Sequence, residues 1–194
     1  AELGSMEALT YLFLASNTFN RGPIPESFYQ LTNLKELSLK ETTRVGSIPT
    51  WISDLSDLIL LDLGMNEFDG SIPASFDDLE NLYFLLLNHN RLSGTVPNTL
   101  QRLPFLRVLL LDDNNLDGLG KGHFDFCENL PHLGKSGSIL TADCGGSDPQ
   151  LICSCCTECC GNGVLCNDGS DFLANQDFVW DRSYKRTRFE FDDN

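Results

Sequence analysis

The sequence predicts an α/β repeat protein, a solenoid with short parallel strands on a concave face and short helical segments on a convex face. Three observations predict it. A leucine spacing typical of such strands recurs five times, and a glycine–proline signature recurs in step with it. All eight cysteines of the 194-residue chain lie after residue 126, which indicates a separate C-terminal cap.

The leucine signature is Leu-x-x-Leu-x-Leu-x-x-Asn, and it first occurs from Leu9 to Asn17. The step to the second unit is 25 residues, and each later step is 24 residues. Two leucines with a period of two point to one face of a strand, so they face the core, and strands of successive units pair in parallel. The five units begin at Leu9, Leu34, Leu58, Leu82 and Leu106.

The asparagine that ends each signature has a structural role of its own. Its side-chain amide can bond backbone groups of the turn and of the adjacent coil. The sequence therefore predicts a stacked ladder of amides, with local loosening in the second unit, where Thr42 replaces the asparagine. The predicted ladder comprises Asn17, Asn66, Asn90 and Asn114.

A second signature, Gly-x-Ile-Pro or a close variant, follows in each of the first four units. Its glycine permits a tight turn, the β-branched residue packs inward, and the proline begins the next short helical turn. The four copies begin at Gly22, Gly46, Gly70 and Gly94. The apolar pairs that then fill the convex side are Phe28/Leu31, Ile52/Leu55, Phe76/Leu79 and Leu100/Leu103.

Together, the two signatures resemble the plant-type leucine-rich-repeat family. That family includes ectodomains of plant receptor-like kinases, receptor-like proteins and polygalacturonase-inhibiting proteins. The resemblance covers about residues 3–118. It implies a right-handed, curved solenoid with 3-10 or helical convex segments and a second short β-ladder near the Gly-x-Ile-Pro segments. It also implies recognition rather than catalysis, since family members mostly bind proteins, peptides or glycans.

We expect two parts, about five leucine-rich repeats in residues 1–118 and a cysteine-rich cap with a tail in residues 119–194. Leu3 and Met6 precede Leu9 with the spacing that convex apolar residues have before the later units. The chain is therefore expected to start within an earlier repeat, because each unit of a solenoid leaves one face for its neighbour. Any membrane anchor is expected in that preceding part.

The cysteines favour disulfides in an oxidising compartment. A metal site is the alternative, because Cys153-x-x-Cys156-x-x-Cys159 contains two overlapping C-x-x-C spacings. We expect disulfides, no metal and no cofactor. The segment from Thr141 to Cys160 also resembles the ending of leucine-rich-repeat proteins from diatoms and related algae. The eight expected disulfide cysteines are Cys127, Cys144, Cys153, Cys155, Cys156, Cys159, Cys160 and Cys166.

The tail, residues 177–194, mixes aromatic and basic side chains. The remainder of the chain is acidic, so we expect the tail to fold back onto it or to meet an acidic partner. Its aromatic residues are Phe178, Trp180, Tyr184, Phe189 and Phe191, and its basic residues are Arg182, Lys185, Arg186 and Arg188.

Partner binding is expected on the concave face, whose side chains alternate with the inward leucines. Two columns of this face are rich in apolar residues, and contiguous apolar patches usually form interfaces. The alternative is that the patch is covered from within, by the aromatic tail. The predicted partner-binding residues are Tyr11, Phe13, Leu60, Asp62, Met65, Phe84, Leu86, His89, Val108 and Leu110.

The composition and motifs restrict the function. A formal net charge of −15 repels phosphate backbones, so nucleic-acid binding is not expected. The chain has three histidines and carries no G-x-S-x-G or H-E-x-x-H motif, so we expect no enzymatic activity. We expect a module that recognises a protein, peptide or glycan as the extracellular or lumenal part of a cell-surface protein. The alternatives are a structural subunit, for instance on the lumenal side of an organelle membrane complex, and a secreted inhibitor or matrix protein.

Overall fold

The computed structural model describes residues 3–117, 138–144, 153 and 156–160. Two parallel sheets run along the solenoid. Seven strands form the concave sheet: β1 (Tyr11–Phe13), β2 (Glu36–Ser38), β4 (Leu60–Asp62), β6 (Phe84–Leu86), β8 (Val108–Leu110), β10 (Ile139–Ala142) and β11 (Glu158–Cys159). Four strands form the second sheet: β3 (Val45–Ser47), β5 (Glu67–Gly70), β7 (Arg91–Gly94) and β9 (Asn115–Leu116).

Short 3-10 helices cover the convex side, and the fold class predicted from the repeats is confirmed. The helices are Leu3–Ser5, Glu26–Gln30, Thr50–Asp54, Ala74–Asp78 and Asn98–Arg102. A proline directly precedes each of the last four, where its fixed φ suits the first helical turn. The glycines that precede these prolines in three repeats, Gly46, Gly70 and Gly94, have φ between +74° and +81°, a region that favours glycine.

The repeat leucines stack in register from coil to coil. Leu37 pairs with Leu61, and Leu85 pairs with both Leu61 and Leu109. These leucines are completely buried, and they belong to one continuous core with the convex apolar residues. Each coil therefore buries its apolar side against its neighbours, as in other repeat proteins.

The asparagine ladder satisfies backbone groups inside the coils. Asn90 Nδ2 donates to the carbonyl oxygens of Leu63, Leu87 and Asn88 at 3.0–3.2 Å. Asn90 Oδ1 accepts from the backbone N–H of Phe68 at 3.0 Å. Asn66 and Asn114 repeat this pattern, whereas Asn17 is exposed and donates within its own repeat alone.

Thr42 interrupts the ladder. Its Oγ1 donates to Leu39 O at 2.6 Å and does not bond the carbonyl of Leu14, which an asparagine would reach by analogy with Asn66 and Leu39. Arg44 bridges the interruption, because its guanidinium donates to carbonyl oxygens of the preceding repeat, at Asn20 and elsewhere. A cavity of about 310 Å³ lies here, lined by Leu3, Leu14, Phe19, Asn20, Pro25, Phe28, Leu39, Thr42 and Arg44.

The concave sheet continues beyond residue 118, where the sequence led us to end the repeats. Strand β10 pairs in parallel with β8, so that Leu140 lies beside Leu109. The step from β8 to β10 is longer than the steps between the earlier concave strands, so the constant repeat spacing does not predict β10. Asp143 takes over the role of a ladder asparagine at this end. Its carboxylate accepts hydrogen bonds from the backbone N–H groups of Asp113 and Asn114 at 3.0 and 3.2 Å.

Disulfides join the end of the sheet. Cys144 bonds Cys159 and Cys153 bonds Cys156, and Cys160 is also disulfide-bonded. The C-x-x-C pair that suggested a metal site is thus a disulfide. Three further predicted cysteines, Cys127, Cys155 and Cys166, and the tail lie outside the described residues. In the part of the chain that the structure describes, no helix has the length and apolar character needed to span a bilayer.

Replacing Asn90 with alanine is expected to lower the free energy of unfolding by about 1–3 kcal/mol, because the buried N–H of Phe68 loses its acceptor and three carbonyl oxygens each lose one of two donors. The same change at exposed Asn17 is the matched control and should cost about 0.5 kcal/mol or less. Urea unfolding of both variants measures the difference. Equal losses at the two positions would contradict a stabilising role for the buried ladder.

Removing the Cys144–Cys159 disulfide by a double change to serine is expected to cost about 3 kcal/mol, because the bond joins residues 15 positions apart and restricts the unfolded chain. The double serine variant at Cys153 and Cys156, which are 3 positions apart, should cost less. Denaturant unfolding under non-reducing conditions compares them. A larger loss from removing the Cys153–Cys156 pair would contradict the greater stabilising effect expected of the Cys144–Cys159 disulfide.

Candidate recognition surface on the concave face

The side chains between the inward leucines line the concave sheet, as the strand period requires. Those of the apolar columns converge on one cluster, with Tyr83 packed against it. We call it the concave apolar cluster, and it consists of Leu60, Phe84, Leu86, Val108, Leu110 and Ile139.

The concave apolar cluster is buried, with side chains 2% to 5% exposed. The sequence leaves two interpretations of these residues open, partner binding and cover from within the chain, and their burial in the structure does not by itself decide between them. At the other end of the same sheet, Tyr11 is 40% exposed and Phe13 is half-buried. A single layer of side chains on a sheet keeps its outer surface in contact with solvent unless something covers it. The predicted binding residues therefore divide into a buried group and an accessible group.

Polar residues border the cluster on strands β2 and β4. Ser38 Oγ donates to Asp62 Oδ2 at 3.0 Å, and the backbone N–H of Gly64 donates to Asp62 Oδ1 at 3.1 Å. Burial nevertheless raises the pKa of Asp62 above its usual value, although nearby Lys40 acts in the opposite direction. Glu36 on β2 is also buried. This border is therefore acidic and partly desolvated.

A second acidic group lies beyond β8. Asp112 is buried, and Thr141 Oγ1 donates a hydrogen bond to its Oδ1. Burial raises the pKa of Asp112, which the bond from Thr141 and the neighbouring His89 partly oppose. His89 Nε2 lies 3.8 Å from Asp112 Oδ2, and His89 Nδ1 lies 2.7 Å from Asp113 Oδ2.

The residue before each ladder position adopts a left-handed backbone. In all five repeats φ lies between 53° and 55°, a conformation that disfavours residues with a side chain. We call these residues the left-handed row: Ser16, Glu41, Met65, His89 and Asp113. The row lies where the concave strands end, and every member is exposed or half-buried. Ser16 Oγ donates to Glu41 Oε2 at 2.6 Å, so polar contacts also run along the row.

Within the described residues, His89 of the row contacts two carboxylates, those of Asp112 and Asp113. Met65 offers an adaptable apolar contact in the same row. The row can thus present polar and apolar groups together to a ligand.

Sequence reasoning missed the concave residues of β10. Ile139 joins the concave apolar cluster, and Thr141 contacts Asp112. A signal was present, since Ile-Leu-Thr-Ala-Asp at 139–143 repeats the alternation of Val-Leu-Leu-Leu-Asp at 108–112. The longer step between the two segments obscured it.

Comparison with known proteins agrees with this geometry. The family model described as Leucine Rich Repeat matches residues 81–103. The comparison with curated protein sequences found no match. Among solved structures, the chain is similar to the leucine-rich-repeat ectodomain of the membrane receptor kinase GASSHO1/SCHENGEN3 from Arabidopsis thaliana, in complex with CASPARIAN STRIP INTEGRITY FACTOR 2. The identity is 34%, the TM-score is 0.61, and the match covers 73% of this chain.

Two further structures show the range of similar proteins. One is the Arabidopsis receptor kinase HAESA in complex with the peptide hormone IDA and the co-receptor SERK1, at 30% identity, a TM-score of 0.61 and 72% of this chain. The other is a plant ice-binding protein, at 28% identity, a TM-score of 0.57 and 77% of this chain. The chain spans 16% and 24% of the two receptor chains and 49% of the ice-binding protein.

Replacing Asp62 with asparagine is expected to stabilise the fold at neutral pH. The amide keeps the acceptor for Gly64 and can donate to Ser38, while a half-buried, partly desolvated negative charge is removed. Because the pKa of Asp62 is raised in the folded state, the carboxyl group of Asp62 binds its proton more tightly in the folded wild-type protein than in the unfolded one. It should therefore gain stability relative to the variant as the pH falls from about 7 to about 4. Unfolding free energies across this range test the idea, and a constant difference between the two proteins would refute it.

Proposed function

Because the chain is a leucine-rich-repeat protein of the plant type, we propose that it is a non-catalytic module that recognises a protein or peptide through the accessible part of its concave face. The left-handed row is the observation that carries the proposal. A side chain at a left-handed position costs about 1–2 kcal/mol that glycine would avoid. Strain of this kind clusters at ligand-binding sites.

The solved structures support a recognition role. Two of the similar proteins are receptor kinases in complex with a named factor or with a peptide hormone and a co-receptor. The similar ice-binding protein is named for a different target, so the fold alone does not specify the ligand. The chemistry of the row here, with Glu41, Asp113 and His89 around Met65, favours a polar ligand that also offers an apolar group.

The disulfides support an oxidising location, outside the cell or in the lumen of the secretory pathway. We infer that the protein acts there as part of a larger surface protein. An organelle lumen, a secreted inhibitor and a matrix role remain alternatives with the same recognition chemistry, and a glycan ligand is an alternative to a peptide.

The test begins with the full-length protein in its own cells, with the photo-reactive residue benzoylphenylalanine in place of Met65. A matched version carries it in place of Tyr29, which is exposed on the convex side. Mass spectrometry identifies polypeptides that cross-link from position 65 and not from position 29. The purified polypeptide is then titrated against wild-type protein and variants. If no polypeptide cross-links selectively from position 65, the proposal is overturned.

Replacing Met65 with glycine is expected to weaken the identified partner about tenfold or more, as the loss of a central contact does. The free energy of unfolding should stay the same or rise by up to about 1 kcal/mol, because glycine relieves the left-handed strain. Titration calorimetry and urea unfolding measure the two effects. Phe105→Ser, at a residue 53% exposed outside the concave face, is the control and should leave binding unchanged. Unchanged binding by the Met65 variant would contradict a role for the row.

A further inference from the structure

The cavity between the first two repeats lies where two core positions differ from those of the later repeats. The ladder position is Thr42, so the amide that the later coils insert here is absent. Two residues further along, Arg44 stands at a position that the three later repeats fill with completely buried apolar side chains, 0–2% exposed, and the first repeat carries Phe19 there, which is 42% exposed. The apolar core is therefore open at this point. The three later residues are Phe68, Leu92 and Leu116.

The cavity has the size and the lining of a small-molecule site. Its volume of about 310 Å³ lies at the lower end of the range for ligand pockets, about 300–1,000 Å³. At the packing density of protein interiors, about ten to fifteen non-hydrogen atoms fill such a volume. Most of the lining is apolar, which favours an apolar ligand because water finds few polar partners there. The apolar lining residues are Leu3, Leu14, Phe19, Pro25, Phe28 and Leu39.

The guanidinium of Arg44 brings a positive charge to this apolar lining. It donates to the carbonyl oxygen of Asn20 at 2.6 Å and to those of Pro23 and Thr42 at 3.1 Å. Its central carbon lies 5.6 Å from the centre of the Phe19 ring. A guanidinium has five N–H groups, so each of its two terminal nitrogens keeps one N–H beyond these three bonds.

The charge of Arg44 is not neutralised by its surroundings. In the part of the chain that the structure describes, Arg21 and Arg91 both pair with Glu67, whereas Arg44 forms no ion pair. Arg44 is half-buried, and burial lowers the pKa of its guanidinium. A desolvated charge gains stability from a partner of opposite charge. Arginine holds the two oxygens of a carboxylate through parallel N–H groups, so a carboxylate suits this position.

We propose that this cavity binds a small organic monocarboxylate, with its apolar body between the first two coils and its carboxylate on the guanidinium of Arg44. The apolar body would take the place of the side chains that close the core in the later repeats. The carboxylate would supply the counter-charge that the described residues do not. The lining shares no residue with the left-handed row, so the site is additional to the recognition of a polypeptide.

Binding is tested by nuclear magnetic resonance on the full-length protein labelled at its leucine methyl groups, with 2-naphthylacetate as the probe. We expect saturable binding with a Kd below about 1 mM. The methyl signals of Leu14 and Leu39 should shift, and those of Leu109, three strands away in the same sheet, should not. The uncharged analogue 2-naphthylacetamide should bind about tenfold more weakly, because it lacks the charge. The absence of saturable binding, equal shifts at Leu109, or equal affinity for the amide would each overturn the proposal.

Replacing Arg44 with glutamine removes the charge and keeps a hydrogen-bonding side chain. The Arg44→Gln variant should bind 2-naphthylacetate about tenfold more weakly and 2-naphthylacetamide as the wild type does. Arg102→Gln, which breaks an ion pair with Asp77 on the convex side, is the matched control and should change neither affinity. Equal affinity of the wild type and the Arg44→Gln variant for the carboxylate would refute the guanidinium as its anchor.

Thr42→Asn tests the cavity with Arg44 intact, and it decides the question if the Arg44→Gln protein does not fold. The new amide would occupy part of the cavity, as Asn66 reaches into the preceding coil. Both probes should therefore bind about tenfold more weakly. Circular dichroism checks that each variant is folded, and unchanged binding by Thr42→Asn would place the probe elsewhere and overturn the proposal. No polypeptide partner is needed, so the result is independent of recognition through the left-handed row.

Discussion

The structure depends on satisfying the backbone where each coil turns away from the concave sheet. The turn buries carbonyl and amide groups that no strand partner can reach, and such groups are costly when they stay unpaired. The amides of Asn66, Asn90 and Asn114 meet this need by binding carbonyls of two successive coils at once. The ladder therefore fixes the register of one coil on the next, while the leucines supply the apolar driving force.

Thr42 and Asp143 each take the role of a ladder asparagine, and the contacts around them show that hydrogen bonding between successive coils is the property that is kept. Thr42 keeps a bond within its own repeat and loses the one to the preceding coil, and Arg44 crosses the gap with a longer side chain. Asp143 provides acceptors alone and serves the backbone N–H groups of the coil before it. Contact between coils is thus retained by whatever donor or acceptor is available, so the solenoid accommodates a different side chain in place of a ladder asparagine.

The sequence predicted what local periodicity controls. The inward leucines and the proline-started turns each follow from residues a few positions apart, and the resemblance to plant-type leucine-rich repeats implied the second sheet. Strand β10 was missed because a longer connection shifts its phase, although Leu140 is in register with Leu109. The disulfide partners and the burial of Phe84 were also beyond the pattern, since both depend on contacts between segments far apart in the chain. Which concave residues are accessible could not be read from spacing for the same reason.

The division of the concave face has a thermodynamic consequence for recognition. A ligand at the left-handed row meets side chains such as Met65 and His89 that are already positioned, so it loses little energy in ordering them. Phe84 and Leu110 are almost completely buried, so a ligand that also contacts them needs a rearrangement of the concave face and binds with a lower apparent affinity. Binding at the row would therefore set which ligand is chosen. The buried cluster would add affinity only for ligands whose own apolar groups can pack against it once it is exposed.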